Sequence, residues 1–237
     1  MKDVRFSVVI PVYNSHHSIE EVVLRIIKTL ESLDQTFEII LVDDLSKDNS
    51  LEKLKELNER DSRVHVIALQ ENHGQQGAIK IGMGASKGSF IITMDDDLEH
   101  QPEDLPLLIS EINKGYDVVY GIPENKKYPF YRKLGSKLVD VFFTVGLNKP
   151  RNIKIGSYRM INRKTVDRIL SDHTPFVYLT AITLKFTKNI GNVSVQHVER
   201  KYGKSNYNFV KLAKLFMKLF FYYRIAGKSK GLSSELT

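Results

Sequence analysis

The sequence predicts an α/β protein with a mostly parallel central sheet flanked by helices. The first 120 residues alternate strand-like apolar runs with segments of helical periodicity. Single helices between strands imply parallel pairing through right-handed crossovers. Polar residues collect just after the strands: Asn14, Asp43, Asp44, Asn72, Asp95, Asp96 and Asp97. Ligands of such sheets bind beyond the carboxyl ends of the strands.

The elements follow in order. FSVVIPVY at 6–13 is a strand running into a loop. Ile19, Val22, Val23, Ile26, Ile27, Leu30 and Leu33 recur at helical spacing over 18–33. Ser18 with Glu21 three residues on reads as a capping box. Strands at 37–44 and 64–70 flank a helix from Asn49 or Ser50 to about Arg60. Residues 74–88 read as a loop and a helix rich in small residues, 89–95 as a strand, 103–114 as a helix and 116–122 as a strand. Beyond 122 the alternation stops. Helices are expected at 130–145, 164–171 and 177–187, and strands at 156–163 and 192–200.

The 237 residues suffice for one domain with a sizeable core. The chain has no cysteine, which excludes a disulfide scaffold and thiolate zinc sites and fits a reducing cytoplasm. The N-terminus reads as a strand rather than a signal peptide, and no run of about 18 uncharged apolar residues suggests a transmembrane helix. The net charge of +7 is uneven. Nine basic and no acidic side chains fall between 200 and 230, so the rest is nearly neutral. An anionic partner at that end is expected: a membrane surface, a phosphate or nucleic acid.

Asp95-Asp96-Asp97 follows a strand directly. A solvated turn would also fit there, but adjacent carboxylates repel one another and call for something positive. Hard oxygen ligands suit Mg²⁺ or Mn²⁺, bound through one or two carboxylates and substrate phosphates. An EF-hand is excluded, because His100 stands at its glycine position and Pro106 at its final glutamate. Asp43 and Asp44 end another strand. Helix capping accounts for Ser46, Asp48 and Asn49 beyond them, whereas an acidic residue at a strand end can also accept hydrogen bonds from a base or ribose. Gly82 and Gly84 lie within a helix, so no dinucleotide fingerprint is present; the small residues there suit close helix–sheet packing.

Four segments in order, SVVIPVYNS, VDDLSKDNS, NHGQQGAIKIGMGASKG and MDDDLEHQPEDL, resemble family 2 inverting glycosyltransferases of the GT-A fold. GSYRMINR at 156–163 and ERKYGKSNY at 199–207 resemble the branch acting on polyprenyl phosphates. The resemblance implies that Pro11, Tyr13 and Asn14 line the nucleoside pocket, with Asp43, Asp44 and Asp96 also on the donor. Asp95 and Asp97 would hold the divalent ion, Glu99 would be a further ligand, and Asp97 and Arg200 would be catalytic. Arg200 and Lys204 would reach the donor diphosphate or acceptor phosphate. Ser15 stands where many relatives have Glu, and Ser157 and Tyr158 stand where close relatives have Asp-Phe.

Transfer to a hydroxyl needs a general base. Asp172 is the one acid in the region where such relatives carry an acidic pair, with His173 beside it, and Asp172 can equally cap a helix. A phosphate acceptor is largely dianionic at neutral pH and needs no base. The expected activity is therefore metal-dependent sugar transfer from a nucleotide sugar, with UDP the expected nucleotide, to polyprenyl phosphate. Transfer to a glycan or lipid hydroxyl, and a non-catalytic membrane-binding module, are the alternatives. No nucleic-acid motif accompanies the basic tail. A domain over 1–205 is expected to precede a basic amphipathic helix and tail over 206–237. Lys211, Lys214 and Lys218 share one face of that helix, which suits a membrane interface or a partner surface. Relatives with transmembrane helices place them after a similar segment, where this chain stops. Peripheral attachment to the cytoplasmic membrane face, directly or through a membrane-protein partner, is the expected location.

Overall fold

The computed structural model describes residues 3–124, 139–196, 198 and 209–225. Seven strands form one sheet: β1 (Phe6–Val12), β2 (Phe37–Asp43), β3 (Val64–Ala68), β4 (Phe90–Thr93), β5 (Val118–Pro123), β6 (Arg159–Asn162) and β7 (Ile190–Val195), in the order β3-β2-β1-β4-β6-β5-β7. Every residue of β1 and β2 is buried, as expected of central strands covered on both faces. β3, β2, β1 and β4 pair in parallel, as do β5 and β7. β6 lies antiparallel between β4 and β5. The expectation of parallel pairing thus holds for the first four strands. β5 is separated from β4 by a strand that enters later in the chain, and local periodicity carries no information about that insertion.

Helices cover both faces. On one side pack α1 (Ile19–Ser32), α2 (Ser50–Arg60) and α4 (Leu105–Ile112), through residues such as Ile26, Leu54 and Leu108. On the other pack α3 (Gly74–Ala85), α5 (Arg163–Leu170), α6 (Leu179–Phe186) and α7 (Phe209–Phe220). The small residues of α3 have the packing role expected of them. A Cβ on Gly82 would fall 2.4 Å from Val9 Cγ1 and 2.9 Å from Val42 Cγ2, so only glycine lets this helix lie so close to β1 and β2.

The expected capping box does not form. Ser18 has helical φ and ψ, and its hydroxyl donates to the Ser15 carbonyl at 3.3 Å instead of capping α1. The Ser15 carbonyl also accepts from the Ser18 and Ile19 amides, so the chain is already coiled before Ser18. Glu21 approaches Arg25 at 3.5 Å.

The expected helix at 130–145 lies largely outside the described residues; its described end, Phe142–Gly146, is a π-helical turn. Phe142 meets Phe216 of α7 at 5.6 Å between ring centroids, and Leu219 and Tyr223 are buried. The C-terminal helix thus spends part of its apolar arc on the body of the protein. Met217, Phe220 and Phe221 remain exposed, with Lys214 and Lys218 beside them.

Candidate active site

The three central parallel strands end together, and the loops that follow converge. Each of these loops holds a non-glycine residue in the left-handed region: Asn14 (φ 55°) after β1, Leu45 (φ 63°) after β2 and Leu98 (φ 65°) after β4. Such conformations cost energy for a leucine and persist where surrounding structure over-determines them. Asn14 ties two of the loops together. Its amide donates to Ser46 Oγ at 3.0 Å, and its side-chain oxygen accepts from the Lys47 amide at 2.7 Å. Tyr13, exposed beside it, donates its amide to Asp96 Oδ2 at 3.3 Å. Pro11 is buried in β1 opposite Val42.

Asp43 is the last residue of β2, paired across to Val12. Its carboxylate is buried. Oδ2 accepts from the Ser46 amide at 3.2 Å, while Oδ1 has no partner. A buried carboxylate oxygen without a donor is costly, and it suits an incoming N–H or O–H. Asp44 is occupied otherwise. It accepts from the His73 amide at 2.7 Å, and its carbonyl accepts from Asn72 Nδ2 at 2.9 Å. Its role within the chain is to fasten the loop that leads into α3.

The acidic cluster sits at the end of β4. Asp95 Oδ1 accepts from Gln75 Nε2 at 2.6 Å, and Oδ2 accepts from Ser157 Oγ at 2.9 Å. Asp96 Oδ2 accepts from the Ser15 hydroxyl. Burial pushes the Asp96 carboxyl up; the Ser15 hydrogen bond opposes this, and the charges of Asp95 and Asp97 push it further, to about 7. Asp97 Oδ1 accepts from the Glu99 amide at 3.0 Å, so these two residues are held in one turn with Leu98 between them.

Among the described residues no lysine or arginine pairs with Asp95 or Asp96. Arg200 and Lys204, expected to bring positive charge here, lie outside the described residues. Nor does any group of three His, Asp or Glu side chains among the described residues enclose a metal by itself. The donor set fits a hard divalent cation held by one or two carboxylates and completed by ligand oxygens.

Asp172 is not poised as a base. Its Oδ2 pairs with Lys185 Nζ at 2.7 Å, and its Oδ1 accepts from the Thr174 amide at 3.0 Å. Burial raises its pKa, but the hydrogen bonds from Lys185 and Thr174 outweigh burial and leave it below the ordinary value.

A family model described as Glycosyl transferase family 2 matches residues 7–186, most of the chain and all of the residues just placed at the strand ends. The chain belongs to glycosyl transferase family 2. Among curated relatives, the undecaprenyl-phosphate 4-deoxy-4-formamido-L-arabinose transferase of Proteus mirabilis (strain HI4320) is 36% identical over 220 residues. The enzyme of that name from Salmonella choleraesuis (strain SC-B67) is 34% identical over the same length. In both cases the match covers 91% of this chain and 66% of the relative, so the chain spans just under two thirds of their length. Among solved structures, Mycobacterium tuberculosis glucosyl-3-phosphoglycerate synthase with Mn²⁺, UDP and phosphoglyceric acid superposes with a TM-score of 0.65 at 16% identity, covering 92% of this chain and 76% of that one. The expected GT-A architecture is therefore borne out, with its mostly parallel sheet flanked by helices.

Two residues of the candidate site had no functional reading in the sequence: His100 and Gln75. Both donate to or accept from Asp95. Gln75 could have been suspected from its place at the start of a helix that follows a strand end. His100 stood out only as a misfit to a calcium loop.

Proposed function

We propose that this chain transfers a sugar, with inversion, from a nucleoside diphosphate sugar to a polyprenyl phosphate. The observation that carries the reading is the convergence of an unpartnered Asp43 oxygen and the Asp95–Asp97 carboxylates on one sheet edge. Asp43 accepts from the base or ribose. Pro11, Tyr13, Asn14 and Asp44 shape the pocket around the nucleoside, and Asp96 braces Tyr13 through its amide. Asp95 and Asp97 hold Mg²⁺ or Mn²⁺, with Glu99 as a further ligand. When bound, the ion offsets the charge that develops on the departing diphosphate, an effect of several kcal/mol. Arg200 and Lys204 are proposed to add charge-assisted hydrogen bonds to the donor diphosphate or acceptor phosphate.

An acceptor phosphate oxygen attacks the anomeric carbon as the bond to the donor's β-phosphate breaks, and the nucleoside diphosphate leaves. No proton has to be removed from a dianionic phosphate. The ion pair that occupies Asp172 agrees with a reaction that uses no base there. The names of the curated relatives support a lipid-phosphate acceptor, and the UDP and Mn²⁺ of the fold neighbour support a UDP-sugar donor. Among the described residues no helix is long and apolar enough to cross a membrane. Exposed Met217, Phe220 and Phe221 beside Lys214 and Lys218 suit contact with an anionic lipid surface from the C-terminal segment, or with a membrane-protein partner.

The test is transfer from a panel of UDP-, GDP- and dTDP-sugars to a short-chain polyprenyl phosphate, read by mass spectrometry. A lipid-phosphate sugar that forms with Mn²⁺ and is absent with EDTA supports the reading. Metal-dependent donor binding with no lipid product, but with transfer to a sugar hydroxyl, moves the acceptor class.

A further inference from the structure

His100 lies within the loop that carries the acidic cluster and is buried. Its hydrogen bonds define its state. The Asp95 amide donates to His100 Nδ1 at 3.0 Å. An amide has only a proton to offer, so Nδ1 is a bare lone pair and the ring carries its proton on Nε2. Nε2 faces Ser157 Oγ at 3.4 Å. The Ser157 hydroxyl, receiving that proton's hydrogen bond, turns its own hydrogen to Asp95 Oδ2 at 2.9 Å. The bonds close a ring: Asp95 main chain, His100, Ser157, Asp95 side chain. The donor directions around it follow from that tautomer.

The ring is built into the fold on both sides. Left-handed Leu98 bends the loop back so that His100 returns to the residue at which the cluster begins. The imidazole stacks on Tyr158, with centroids 4.9 Å apart and planes 19° apart. The Tyr158 hydroxyl donates to the Gln101 carbonyl at 3.3 Å, and the Ser157 carbonyl accepts from Thr93 Oγ1 at 2.8 Å. Ser157 therefore approaches Asp95 from the segment that leads into β6, while Gln75 holds the other carboxylate oxygen from α3.

We propose that His100 and Ser157 are positioning residues that hold the Asp95 carboxylate in one orientation toward the divalent ion. This rests on the reading of Asp95 as a metal ligand. The role is geometric, and no proton moves. Partners behind a metal ligand commonly change metal affinity or activity by about 10- to 100-fold when removed. Ser157 meets Asp95 with a neutral hydroxyl and adds no charge to the Asp95–Asp97 cluster.

The experiment is calorimetric titration of Mn²⁺ with UDP, GDP or dTDP, whichever binds best, into the full chain and its variants. Thermal unfolding and the Mn²⁺ dependence of transfer are measured alongside. Ser157→Ala is expected to weaken Mn²⁺-dependent nucleotide binding about 10- to 100-fold. It should raise the Mn²⁺ concentration needed for half-maximal rate by a similar factor and leave the rate at saturating Mn²⁺ much less affected. Ser157→Thr, which keeps the hydroxyl, should restore binding. His100→Gln, which can keep a donor toward Ser157, should be milder than His100→Leu. Variants that bind Mn²⁺ and nucleotide as the unaltered protein does would overturn the relay while leaving the metal site standing. So would variants that lose only thermal stability. Failure of the unaltered protein to bind any of the nucleotides in a Mn²⁺-dependent way would remove the metal reading and the relay with it.

Discussion

The two ends of the same sheet treat their carboxylates in different ways. At the amino edge Glu38 is buried, with one oxygen doubly hydrogen-bonded and the other beside an imidazole. Its Oε1 accepts from Ser7 Oγ and from the Lys87 amide, both at 2.6 Å, and its Oε2 lies 3.6 Å from His65 Nε2. Asp117, just before β5, accepts from Asn162 Nδ2 at 2.8 Å and Thr187 Oγ1 at 2.6 Å. Arg163 closes that edge by donating to the Ser86 and Gly88 carbonyls. At the carboxyl edge Asp43 keeps an oxygen without a donor and Asp96 is pushed up to about 7. Polar groups at the first edge complete the fold. At the second, Asp43 is left incomplete by it, and a ligand is what would complete it.

Substitutions at the two edges should therefore separate stability from binding. The largest effect is expected for Asp97→Ala. If Asp97 is the metal ligand proposed above, its loss should cut transfer by about a thousandfold or more, roughly 4 kcal/mol in barrier, with thermal unfolding little changed. Glu38→Ala should do the reverse. It strands buried donors at the amino edge and should cost about 2–3 kcal/mol of stability by denaturant unfolding, while Mn²⁺-dependent nucleotide affinity stays as it was. If Glu38→Ala instead weakened nucleotide binding in a protein that remains folded, the contrast between the edges would be lost.

Asp43→Asn exchanges the unpartnered acceptor for a donor. Nucleotide affinity should fall about 10- to 100-fold, the worth of a hydrogen bond to a charged group, with little change in stability. Equal loss of both would make Asp43 a structural residue like Glu38. The smallest effect is expected for Asp172→Asn. Transfer should stay within about twofold, and stability at neutral pH should drop by about 1 kcal/mol as the Lys185 pair is lost. Because the folded pKa is depressed, this contribution is present above the ordinary value of 3.8 and fades as pH falls through the lower folded value. Unfolding curves of the two proteins should therefore converge at low pH. A large loss of transfer would return Asp172 to the role of base.

Much of the carboxyl edge was legible because strand ends are marked locally. A buried apolar run that stops at Asn14, at Asp43 or at Asp95 announces both the end of the strand and the side of the sheet on which ligands bind. What was not legible depends on residues far apart in the chain. β6 enters the sheet between strands formed much earlier, and Ser157 reaches Asp95 across that insertion. The Ser18 cap failed because the coiling of the chain before it, not the side chain, decides where α1 begins. Asp43 and Asp44 look alike in sequence, yet one has an unpartnered oxygen and the other holds the β3–α3 loop; only the neighbouring amides distinguish them.

The central claim is that the carboxyl edge, and not the amino edge, holds the ion and the donor diphosphate. Anomalous diffraction from crystals grown with MnCl₂ and the best-binding nucleoside diphosphate tests it most directly. A single strong manganese peak within coordination distance of Asp95 and Asp97, with the nucleoside lying toward Asp43, is the predicted result. A manganese peak at Glu38 or Asp117, or nucleotide bound with no manganese at the acidic cluster, would contradict it.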